Sequence, residues 1–176
     1  GLSTQIALLE DRARELTHLN RLVEGLERYP LPRERDGVVD VDRLSAHVHG
    51  TGPSEARERV PPAIRSRWES FMNQDRQLAG HVLEAELDLR VERMTPESMS
   101  SPVAVRRLEL AYERAVSQWR AARKQFGATV QGELRSCSRE LAELRANRTA
   151  LVATLSLADV YAPIAGMAVV DRELHV

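Results

Sequence analysis

The sequence predicts a mainly α protein: a long antiparallel helical hairpin of coiled-coil type, an additional N-terminal helix and a short β segment at the end. Three observations predict it. Apolar residues recur at gaps of three and four along two stretches, 62–94 and 102–156. Only a short turn at 95–101 separates these stretches, so the two helices must pack antiparallel. Past Leu157 the pattern changes to Val160-Tyr161-Ala162-Pro163-Ile164-Ala165-Gly166-Met167-Ala168-Val169-Val170, where turn residues are flanked by β-branched ones.

Composition agrees with elongated helices. The 176 residues suit one domain, and 4% aromatic with 29% charged residues favours narrow apolar seams over a thick core. A net charge of −1 offers no basic field for nucleic acid. Cys137 is the single cysteine, so no intrachain disulfide can form, and cysteine usage does not decide the compartment. No stretch approaches the ~18 apolar residues of a membrane span, and no basic-then-apolar leader opens the chain. The chain is expected to be soluble. It starts inside an amphipathic pattern and ends in mid-strand, as a piece of a longer protein would.

The first helix is expected over 2–28, with Leu2, Ile6, Leu9, Ala13, Leu16 and Val23 on one face. Leu8, Leu19, Leu22 and Leu26 widen that face, which suggests more than one neighbour. Residues 29–61 carry Pro30, Pro32, Pro53 and Pro61 with Gly37, Gly50 and Gly52, so they read as a loop holding a short helix near Val41–His47. The second long helix opens at Pro61-Pro62, where proline suits a first turn. Its seam is Ile64, Trp68, Phe71, Asp75, Leu78, Val82, Ala85 and Leu89, with Asp75 the one polar exception. The third opens at Ser101-Pro102, a hydroxyl N-cap before proline. Its seam runs Leu108, Tyr112, Ala115, Trp119, Ala122, Phe126, Thr129, Glu133, Cys137, Leu141, Leu144, Arg148, Leu151 and Leu155. Counting outward from the turn places Val82 near Ala115, and Trp68, Phe71 and Leu78 among the facing partners of Leu108, Tyr112 and Trp119. The first helix is expected beside the base of this pair.

Two motifs carry functional information. Arg90, Met94 and Ser101 are spaced Arg-x3-Met-x6-Ser across the turn, and the end of the chain reads Ala162-Pro163-Ile164-Ala165-Gly166-Met167-Ala168-Val169. An arginine offers a fork of donors to a partner's carbonyls, methionine a small apolar anchor, and serine a helix cap. Alternatively, Ser101 is only a cap and Arg90 only a solvated helix residue. Together the hairpin, the turn motif and the β exit resemble the periplasmic adaptor (membrane fusion) proteins of bacterial tripartite efflux and type I secretion systems. The similarity is greatest to the HlyD-like adaptors. Their turn motif has leucine where this chain has Met94. The stretch Pro62-Ala63-Ile64-Arg65-Ser66-Arg67-Trp68-Glu69-Ser70-Phe71, following an extra helix and a proline-containing loop, tips the resemblance toward the secretion branch.

The resemblance implies two regions: a helical hairpin domain at 1–156 and, at 157–176, the start of a lipoyl-like β half-motif. It also implies a subunit anchored to the bacterial inner membrane and facing the periplasm, acting as a hexamer. That subunit would join an inner-membrane ABC transporter to a TolC-like outer-membrane channel, docking through Arg90, Met94 and Ser101. Residues 156–176 contain no lysine, so a lipoyl swinging arm is excluded. No cofactor is expected. His47-x-His49 with Asp36, Asp40 and Asp42 lacks a completing ligand pair, so no metal is expected. No nucleophile constellation or phosphate loop is present, so no catalysis is expected. The rival readings are a structural or dimerising coiled-coil scaffold and a drug-efflux adaptor.

Overall fold

In a computed structural model, residues 1–28, 40–51, 60–96 and 101–173 are described, with side chains up to residue 157. The architecture is almost entirely helical: α1 (Leu2–Arg28), α2 (Val41–Val48), α3 (Pro62–Met94) and α4 (Pro102–Glu173), with no strand among the described residues. Most of the turn, at 97–100, and much of the loop, at 29–39 and 52–59, lie outside them.

The expected switch to β structure is therefore corrected: α4 continues past Leu157 to Glu173. A helix satisfies its backbone hydrogen bonds within its own segment, whereas a strand needs a partner strand. None is present among the described residues. The expected boundary at 156/157 falls inside one of two compact units, Gly1–Arg14 with Leu134–Val176, the other being Glu15–Glu133.

In the second unit the contacts between α3 and α4 run antiparallel. Arg67 donates two hydrogen bonds to Glu133 (2.7 and 2.8 Å), Phe71 stacks on Phe126 at 3.9 Å between centroids, and Arg93 donates to Glu109 at 3.1 Å. Residue numbers rise on α3 as they fall on α4. Val82 and Trp119 belong to one buried cluster with Leu44 and Ala79, and Leu78, Tyr112 and Ala115 pack on it. Leu19 and Leu22 of α1 pack with Ile64 and Val130, and Leu26 with Phe71 and Met72. The buried face of α4 keeps Trp119, Cys137 and Leu141 of the expected seam and departs from it by one residue at two places. Arg123 and Val130 are buried where Ala122 and Thr129 were expected, because α4 here serves α1 as well as α3.

The short α2 is defined by its caps. Asp40 accepts a hydrogen bond from the Arg43 amide at 3.1 Å. Gly50 closes the other end at φ 71°, a conformation that costs glycine little. Its amide reaches the His47 carbonyl (3.1 Å) and that of Thr51 reaches Ala46 (2.9 Å), a Schellman closure. So short a helix is marginal alone; burial of Leu44 and His47 holds it on α3.

In the first unit Ile6, Cys137 and Leu141 are buried. The Cys137 thiol donates to the Leu9 carbonyl at 3.3 Å, and Arg145 donates to Glu10 at 2.6 Å.

Candidate functional site

The three residues of the turn motif occupy different environments. Met94, the last residue of α3, is 77% exposed. Ser101 is exposed, and its carbonyl accepts the first helical bond of α4 from the Val105 amide at 3.0 Å. Arg90 is half-buried and donates from Nε to Glu86 at 2.8 Å, one helical turn back. Glu86 is itself buried. A charge reversal at Arg90 alone would therefore strand a buried carboxylate rather than alter a solvated residue only.

A second constellation is centred on Asp75, the polar exception of the α3 seam, which is 1% exposed. Its carboxylate accepts four hydrogen bonds: from Trp119 Nε1 (2.7 Å) and Arg123 Nε (2.6 Å) at Oδ1, and from Arg123 Nη2 (2.9 Å) and His47 Nε2 (2.7 Å) at Oδ2. An ionised carboxylate only accepts, so Nε2 of His47 carries a proton. Arg123 donates further to the Leu26 carbonyl at 3.2 Å and lies 4.4 Å from the Trp119 ring centroid. One carboxylate thus ties α3 to α2 and α4, and Arg123 extends the network to α1. Burial pushes the Asp75 carboxyl up, but hydrogen bonds from Arg123, His47 and Trp119 and the Arg123 charge outweigh it and hold the group at about 2.

The sign of the pH dependence follows. A depressed carboxyl contributes stability that is present above its ordinary value of 3.8 and lost as pH falls toward about 2. The contribution is roughly 2 kcal/mol by linkage. Urea unfolding between about pH 5 and about pH 2 should show an acid loss that Asp75→Asn lacks. Taking the difference between the two proteins removes the titration of other carboxylates. Parallel curves would contradict this assignment.

The histidine and aspartate pattern weighed for a metal does not converge. His47 points into the Asp75 cluster, His49 Nδ1 donates to the Ser45 carbonyl at 2.8 Å, and Asp40 caps α2. No group of three or more metal-ligating side chains occurs among the described residues, and Asp36 lies outside them. The Asp75 cluster went unassigned at the sequence level, although an aspartate on an apolar seam signals a buried partner. No protein-family model, curated protein or solved structure matches the chain.

Proposed function

We propose that this chain is the helical hairpin domain of a HlyD-like periplasmic adaptor. Such a subunit joins an inner-membrane ABC transporter to a TolC-like outer-membrane channel for type I protein secretion, as a hexamer anchored to the inner membrane. The role is mechanical: paired coiled-coil helices carry a turn to the channel, and Arg90, Met94 and Ser101 dock there. The observation that carries this reading is the antiparallel stepping of contacts from Arg67–Glu133 to Arg93–Glu109, which leads to an exposed methionine at the end of α3. Packing of α1 against the start of α3 supports the three-helix arrangement of the secretion branch. The helical course of 157–173 lends no support to a lipoyl half-motif here.

The experiment is export by the assembled system carrying the paired exchange Glu86→Arg with Arg90→Glu. This exchange keeps the ion pair within α3 and moves the positive charge away from the docking position. Export should fall about tenfold, the equivalent of ~1.4 kcal/mol of lost binding, in a variant that a thermal melt shows to be folded at the assay temperature. Unchanged export would remove Arg90 from the docking surface.

A coiled-coil scaffold is the second reading. It is favoured by the exposed leucines at 151, 155 and 157 on an uninterrupted α4.

A further inference from the structure

Near the turn, α3 carries an exposed apolar stripe. Leu87 and Val91 are 45% and 63% exposed, and Met94 continues the stripe to the end of the helix. Leu87 and Val91 stand two residues either side of buried Leu89, and at about 3.6 residues per turn that spacing points them away from the α4 contact. The outer face of α4 carries a counterpart. Leu110 and Arg114 stand two residues either side of Tyr112, which packs on the buried cluster, so they too point away from the α3–α4 contact. Leu110, Glu113, Arg114 and Ser117 line a hollow of about 330 Å³. Four residues so spaced on one helix form the hole that receives a single side chain in coiled-coil packing.

Levels and charges identify the occupant. The Arg93–Glu109 pair sets Val91 level with Leu110, and Leu87, one helical turn before Val91, is then level with the hollow. A copy lying alongside, with its turn at the same end, brings its α3 antiparallel onto this α4. Glu84, Asp88 and Glu92 follow one edge of the α3 stripe, and Arg107 and Arg114 follow one edge of the α4 face. The right-handed sense of both helices brings these two edges to the same side, with Asp88 beside Arg114. On the other edge Arg90, bonded to Glu86, comes near Glu113. Arg93 and Arg106 both donate to Glu109 within the chain. Pairing two α3 faces instead would leave the hollow unfilled and the arginine edge unmatched.

We propose that copies of this chain pack side by side with all turns at one end, the outer face of α3 on each seated against the outer face of α4 on the next. Leu87 fills the neighbour's hollow, Val91 packs on its Leu110, and Asp88 pairs with its Arg114. Two different faces meet, so the contact is head-to-tail, and each added copy presents an open face until a ring closes. This is the subunit contact of the hexamer proposed above. It rests on that reading for the number of copies, and it needs no channel.

Disulfide trapping on the 176-residue chain tests it, with the parent and its buried Cys137 as the blank. Cysteines introduced as Val91→Cys and Leu110→Cys lie on opposite outer faces of one helix pair. That is beyond the ~7 Å between Cα atoms that a disulfide spans, so the two join only between copies. Oxidation of the double variant should give a ladder of species beyond two and up to six. An equimolar mixture of the two single variants should stop at two, and each alone should yield about tenfold less than the mixture. Leu87→Glu should lower the mixture's yield about tenfold with unchanged helical circular dichroism, because the side chain is exposed. Asp88→Arg on the Val91→Cys chain should do the same, and Arg114→Asp on the Leu110→Cys chain should restore the yield. No crosslink at any concentration overturns the proposal, as does a double variant that stops at two or a single variant as reactive as the mixture. So does indifference to Leu87→Glu, or growth past six. No channel takes part, so a missing ladder overturns this contact alone, and lost docking at Met94 leaves it standing.

Discussion

Replacing Asp75 by alanine is expected to destabilise the protein by about 3–5 kcal/mol, because it leaves Arg123 buried without its counter-charge. The Nε2 proton of His47 and the indole N–H of Trp119 lose their acceptor in the same step. Total stabilities of domains are about 5–15 kcal/mol, so the variant should unfold in far less urea. The double variant Asp75→Leu with Arg123→Met removes both charges and should recover much of the loss. Urea unfolding of the two variants checks both statements. A single variant within ~1 kcal/mol of the parent would show that the cluster does not hold the helices together.

The second large effect is expected at Trp119, where packing and hydrogen bonding can be separated. Trp119→Ala removes a 2% exposed side chain and should cost about 3–5 kcal/mol. Trp119→Phe keeps much of the apolar contact with Val82 and Ala79 but removes the bond to Asp75, and should cost about 1–3 kcal/mol. Equal losses from the two would mean that the hydrogen bond, and not the packing, dominates at this position.

The helical class was legible because periodicity is a local signal. Proline at Pro62 and Pro102 marked where two helices open, and Asp40 with Gly50 delimits the short one between. The Asp75 cluster was legible only as an anomaly. Its bonds join residues 28, 44 and 48 positions apart, which no local pattern encodes. Arg123 lies one residue off the seam drawn for a two-helix contact, and becomes buried because α1 approaches α4 as well. Glu133, a polar residue on that seam, is accommodated by the two bonds from Arg67. The Arg90–Glu86 pair was readable from its spacing of four, and ignoring it made Arg90 look like a purely solvated residue. The Pro-x-x-Gly segment misled for a different reason: turn chemistry specifies a strand only where another strand is present to receive it.

Whether the exposed end of α3 contacts an outer-membrane channel is tested most directly by photo-crosslinking from position 94 in cells that export. Met94 is 77% exposed, so a photoreactive residue there should leave folding intact. The docking proposal predicts a crosslink to a TolC-like channel that disappears with the Glu86→Arg and Arg90→Glu exchange. Crosslinks to other copies of this chain alone, or a channel crosslink indifferent to that exchange, would contradict it.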